Sequence, residues 1–277
     1  MIELGRWQRL RVARTKEFGV YLCSPKEPED AVLLPAKQVP EGTSVGDELD
    51  VFVYKDSEDR RIATVHMPLI TMDEIAPLTV ANVTDIGAFM DWGLEKDILL
   101  PFKEQTTKVR EGASYLVRMY EDKSERLCVS MRLYGYLRQD SGYQAGDEVE
   151  GTVYELSDEW GAFVAVENQY SALIPRKELY QKLTPGDEIT ARVIKVLEDG
   201  KLSLSIRKPA YQQMDEDAER IMALLESYDG VLPFSEKASP EVIKRELNMS
   251  KAAFKRAVGK LYKAQRVSLQ DGKIRRR

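Results

Sequence analysis

A chain of 277 residues with 43% hydrophobic content is too long for one ordinary small domain, suits three or four, and is not disordered. No run approaches the roughly 18 apolar residues that a membrane span needs. The net charge of −5 is uneven: residues 235–277 hold 13 Lys/Arg against 4 Asp/Glu, a net of +9, and residues 1–234 hold 28 against 42, a net of −14, which points to a basic C-terminal module that meets a polyanion.

The chain opens on Met-Ile-Glu-Leu-Gly-Arg-Trp, which has no secretory apolar segment, so a cytoplasmic protein is expected. Residues 1–66 are short Val/Ile/Leu-rich runs separated by Gly, Pro and Asp, the pattern of strands in a small all-β unit. Residues 67–77 form a connector apolar enough to pack. Residues 78–132 repeat the strand pattern, 133–145 form a second connector, and 146–207 repeat it again. The copies share anchors. Gly161, Pro175 and Gly186 are spaced 14 and 11, as are Gly87, Pro101 and Gly112; Gly19, Pro35 and Gly46 are spaced 16 and 11. Around the first anchor stand Phe18-Gly-Val-Tyr21, Ile86-Gly-Ala-Phe89 and Trp160-Gly-Ala-Phe163. Cys23 and Cys128 fall in different copies, so no disulfide is expected and both read as small buried hydrophobes.

After Arg207 the texture changes. Residues 214–228 carry Ile221, Leu224, Leu225 and Tyr228 at helical spacing. Ser239-Pro-Glu starts a second helix, with Ser239 as cap and Pro240 at the first position. Asn248-Met-Ser is a tight turn, and Ser250 caps a third helix with Phe254, Val258 and Leu261 on one face. Residues 266–275 read as a hairpin with an Asp271-Gly272 turn. Three helices and a hairpin over 215–277 make the winged form of a helix-turn-helix.

The strand order from Gly146 to Arg207 resembles the S1 type of OB-fold, a five-stranded Greek-key barrel whose members bind single-stranded RNA. The expected architecture is therefore multidomain and mainly β: three tandem S1-like barrels, the first degenerate, followed by an α+β winged helix. That domain order resembles the conserved virulence factor B (CvfB-like) family of bacterial regulators. The resemblance implies RNA binding and an effect on gene expression.

Single strands are held by rings that stack on bases and by cations along the backbone. Trp160 and Phe163 are three apart and would face opposite sides of a regular strand. A bulge or bend at Gly161-Ala162 would bring both to one face. In S1-like domains these two positions form a stacking platform. Phe18 and Tyr21 keep the pair in the first copy, and the second keeps only Phe89. Arg207, and Arg132 in the second copy, occupy the basic position that S1-like domains place beside the platform. Where many S1 domains carry His, this chain has Pro35, Pro101 and Pro175. Arg192 and Lys195 are further candidates, expected to be exposed on the penultimate strand of the third barrel. In the winged helix, Lys251, Lys255, Arg256, Lys260 and Lys263 are placed to track phosphates, with Lys273, Arg275, Arg276 and Arg277 on the wing and tail. Lys and Arg without Asn or Gln favour backbone contact over base reading.

Catalysis has little support: one histidine, His66, no His/Cys cluster with metal spacing and no Walker loop. No cofactor, metal or small-molecule substrate is expected. The leading partner is single-stranded RNA. The alternatives are a DNA-binding transcription regulator acting through the winged helix, and a ribosome-associated interaction factor.

Overall fold

The computed structural model describes residues 1–207, 210–235, 237–270 and 272–277. The chain divides into two compact units, Met1–Ile206 and Arg207–Arg277. Asp271 of the expected hairpin turn lies outside the described residues, as do residues 208 and 209 of the segment that joins the units.

The first unit is three closed five-stranded barrels. The strands are β1 (Trp7–Lys16), β2 (Gly19–Ser24), β3 (Glu27–Pro35), β4 (Glu48–Lys55) and β5 (Arg61–Thr64) in the first barrel. The second holds β6 (Ile75–Val83), β7 (Gly87–Asp91), β8 (Ile98–Pro101), β9 (Ser114–Glu121) and β10 (Leu127–Ser130). The third holds β11 (Glu148–Ser157), β12 (Gly161–Val166), β13 (Tyr170–Pro175), β14 (Glu188–Val196) and β15 (Leu202–Ser205). In each barrel the first three strands form an antiparallel meander. The fifth strand pairs parallel with the third and antiparallel with the fourth, and the fourth closes on the first. Alternating apolar residues fill each interior, as with Val149, Val164, Ile174, Val193 and Leu204 in the third.

Two sets of glycine anchors have separate causes. Gly19, Gly87 and Gly161 have φ of +147°, +153° and +123°, and a Cβ at each would stand 2.1, 2.4 and 2.1 Å from the carbonyl oxygen of Leu34, Leu100 or Ile174 on the next strand. Only glycine fits there. The second set, Gly46, Gly112 and Gly186, docks a turn onto the first strand: their amides donate to the carbonyls of Val12, Val80 and Val153 at 2.8–2.9 Å. At each of those places the first strand carries a β-bulge, between Val12 and Arg14, Val80 and Asn82, and Val153 and Glu155. The bulge is therefore on β11 and not at Gly161-Ala162; β12 itself runs in regular register against β13.

The connectors are structural parts of the barrels. β6 begins at Ile75, three residues before the expected start of the second barrel, because Ile75, Ala76 and Pro77 pair with Arg118, Val117 and Leu116. Ile70 is buried in the second barrel's core. Trp92 of the second barrel is buried against Phe52 and Tyr54 of the first, with both ring pairs at 5.8 Å. Leu133 and Leu137 of the second connector bury themselves with Leu116 of the second barrel and Tyr154 and Ala165 of the third.

The second unit has α1 (Ala210–Ser227), which starts earlier than its apolar pattern, α2 (Pro240–Leu247), α3 (Lys251–Lys263), and the hairpin β16 (Val267–Gln270) and β17 (Lys273–Arg276). The Ser239 hydroxyl accepts from the Val242 amide, and the Ser250 hydroxyl from the Ala253 amide. Asn248 ends α2 in the left-handed region at φ 50°. Ile221, Leu225, Ile243, Phe254, Val258, Leu261, Val267 and Ile274 form the core.

Candidate nucleic-acid interface

The strand registers define one outward row in each barrel. In the third it runs Glu155, Phe163, Leu173, Ser203, Lys195 across all five strands. In the second it runs Asn82, Phe89, Leu99, Cys128, Tyr120. In the first it runs Arg14, Tyr21, Leu33, Ile62, Tyr54. Each row has an aromatic ring on its second strand. The bulge on the first strand inserts one residue, so that Glu155, not Tyr154, stands opposite Phe163.

Trp160 precedes β12 and is not bound by its alternation. The loop before it is held by the Ser157 hydroxyl, which accepts from the Glu159 and Trp160 amides at 3.3 and 3.2 Å. The turn at Gly161 lets the Trp160 ring, 58% exposed, reach the same cavity as Phe163. This cavity has a volume of about 570 Å³ and is lined by Tyr134, Glu155, Trp160, Phe163, Leu173 and Lys201 among others. Tyr134 belongs to the connector; its ring meets Phe163 edge-on at 5.6 Å, and its hydroxyl accepts from Lys201 Nζ at 3.2 Å. Lys201 also donates to Asp199 at 2.8 Å, which holds the Asp199 carboxyl below its ordinary range. Three rings thus line one open face, with Lys201 beside the Tyr134 ring at 5.0 Å from its centre.

Lys195 ends the row and is exposed. Arg192, expected to be exposed, is half-buried: it stands opposite Glu148 and Ser205, with its Nε buried and unpartnered. Arg207 lies two residues past β15, exposed and apart from the cavity lining. The corresponding Arg132 is exposed and donates through Nε to the Lys103 carbonyl at 3.0 Å.

The other two faces are more restricted than the third. Phe89 lies in a narrower cavity of about 280 Å³, where Tyr54, Lys55, Ser57 and Asp59 of the first barrel overhang the second. Arg126 pairs with Asp59, and Lys96 Nζ donates to the Asp56 carbonyl at 2.8 Å, tying that overhang down. In the first barrel Phe18 is 57% exposed and meets Tyr21 edge-on at 6.2 Å. The Arg14 guanidinium lies 4.3 Å from the centre of the Tyr21 ring and covers the face on which a base would stack.

In the winged helix, Lys255, Arg256, Tyr262 and Lys263 are exposed on α3. Lys260 is engaged by Asp215 of α1, and Lys251 Nζ reaches the Lys237 carbonyl at 3.5 Å. Lys273 is exposed on the wing; Arg275 is half-buried, opposite Ser268 and bridged to Val231, with Nε unpartnered. Arg276 pairs with Glu226 of α1.

The chain is similar to known protein families over most of its length. The model of the S1 domain matches residues 4–66 and 74–132, that of the S1 RNA binding domain matches 143–207, and that of the CvfB-like winged helix domain matches 219–275. "Conserved virulence factor B" of Staphylococcus saprophyticus is 31% identical over 239 residues, covering 83% of this chain and 80% of the relative. The chain belongs to the conserved virulence factor B family. "Uncharacterized protein YitL" of Bacillus subtilis is 32% identical over 281 residues, 97% of this chain and 92% of that protein. A solved Streptococcus pneumoniae protein, described as a multidomain protein with nucleic acid binding domains, shares the fold with a TM-score of 0.54 and 23% identity over 99% of this chain and 98% of that one. Built from S1 domains and a winged helix, the chain is a nucleic-acid-binding protein.

The modules of this chain were legible in its sequence, but several face residues were not. Tyr134, Glu155 and Lys201 escaped the sequence reading. Tyr134 comes from a connector, and Glu155 is placed by a bulge whose signal, the docking turn at Gly186, lies more than thirty residues away. A three-copy alignment of the bulge positions Arg14, Asn82 and Glu155 would have found the second. Among the described residues no group of three or more His, Cys, Asp or Glu is placed to hold a metal ion, and no helix is long and apolar enough to cross a membrane.

Proposed function

We propose that the protein is an RNA-binding regulator that acts on gene expression after transcription, in the cytoplasm and without catalysis. Single-stranded RNA is taken by the third barrel and by the basic winged helix. The observation that carries the reading is the open aromatic face: Trp160, Phe163 and Tyr134 around one cavity suit unstacked bases, and a duplex hides its base faces. Lys195 at the end of the row and Lys255, Arg256 and Lys263 on α3 supply cations for phosphates. Only a short segment joins β15 to α1, so a strand held by one module raises the effective concentration at the other.

The exposed cations of α3 favour one second reading, a duplex-DNA regulator that uses α3 in the major groove. Competition between single-stranded RNA and duplex DNA of equal length, at physiological salt, separates the two. Single-stranded RNA should win, and preference for duplex would replace the first reading by the second.

A further inference from the structure

On the third barrel's open face the charged groups that line the cavity are Glu155, Asp199 and Lys201. Asp199 and Lys201 satisfy each other at 2.8 Å, and Lys201 also holds Tyr134. That leaves Glu155. It is half-buried, stands opposite Phe163, and among the described residues has no hydrogen-bond or ion-pair partner. The barrel does not require a carboxylate there, since the corresponding residues behind the same bulge are Arg14 and Asn82. In the first barrel that position is turned back onto its own ring, whereas Glu155 is left facing the cavity.

A carboxylate only accepts hydrogen bonds. An uncompensated one repels a phosphate, so what approaches it is the edge of a base stacked on the rings. Covering Glu155 with an edge that does not donate would leave a desolvated charge unpaired, which is penalised more heavily than a weak contact. Guanine alone presents two adjacent donors on its Watson–Crick edge, N1–H and the N2 amino group, which match the two carboxylate oxygens. Adenine and cytosine present one amino donor beside an acceptor nitrogen. Uracil presents a single N3–H between two carbonyls. We infer that Glu155 is a base-selecting residue that favours guanine at the Trp160/Phe163 stacking position. The inference rests on the RNA reading above and adds the identity of the base to it.

The test measures fluorescence anisotropy of the full chain with an adenosine octamer, the same octamer with one central guanosine, and the same with one central inosine, which lacks the N2 amino group. The single guanosine should bind about tenfold tighter than adenosine, the discrimination of one bidentate base contact, with inosine between them. Glu155→Gln should bring the guanosine-to-adenosine ratio close to one, while Trp160→Ala should weaken both oligonucleotides. Equal binding of the first two by the unmodified chain, or a ratio that survives Glu155→Gln, overturns the guanine assignment and leaves the RNA reading standing. Binding of neither oligonucleotide, with Glu155-dependent binding of an oligolysine peptide instead, overturns both and makes the face a cage for a cationic protein partner.

Discussion

The second and third barrels have the same five strands, the same bulge and an outward Phe at the same place, yet the cavity around Phe89 is about half the volume of the one around Phe163. Phe89 sits under the first barrel's overhang, and the row beside it includes the buried Cys128. Phe163 is bordered by a connector tyrosine that widens the aromatic surface instead of covering it. In a tandem array, therefore, the neighbouring segment sets how much room a barrel face has. Here the aromatics Phe52, Tyr54 and Trp92, which could have stacked on bases, are consumed in fixing the first barrel onto the second.

The largest test of this comparison is Trp92→Ala. Removing a buried ring that packs on Phe52 and Tyr54 should lower stability by about 3–5 kcal/mol in denaturant unfolding, and the first barrel should loosen from the second. A loss under about 1 kcal/mol would mean that the junction does not depend on the ring.

Next comes the pair Trp160→Ala and Phe89→Ala. The first should weaken single-stranded RNA binding by about 1–3 kcal/mol, the worth of one stacked base, and the second should leave affinity unchanged in a folded chain. Equal effects would erase the distinction between open and covered faces.

The same contrast extends to α3. Lys255→Ala with Lys263→Ala removes two free cations and should flatten the log–log salt dependence of RNA binding by about 1.4, at about 0.7 for each phosphate. Lys260→Ala removes a cation already engaged by Asp215 and should change the slope little.

The smallest effect is a pH dependence. Burial pushes the Cys128 thiol up to about 11, with Asp122 adding to the rise. A raised folded pKa means that this contribution to stability is whole below about 8.5 and is lost as pH climbs towards 11. Cys128→Ala should flatten that alkaline decline in melting temperature. Ser203→Cys places a thiol at the corresponding position of the open face, and it should react with an aromatic disulfide reagent much faster than Cys128. Equal rates would show that the second face is as accessible as the third.

The modules were legible in the chain itself. Glycines that must sit at positive φ against a neighbouring carbonyl, prolines 14 or 16 residues after them, and caps such as Ser239 and Ser250 are local necessities, so they stand in the chain at readable spacing. The sequence also placed Trp160 and Phe163 as candidates with a bend at Gly161 between them, although the bulge lies on β11. That Glu155 faces Phe163, that Tyr134 adjoins that ring, that Arg14 covers Tyr21 and that first-barrel residues border the cavity of Phe89 came from the folded chain. Each of these depends on register across strands or on packing between domains. Those contacts join residues far apart in the chain, and no local periodicity records them.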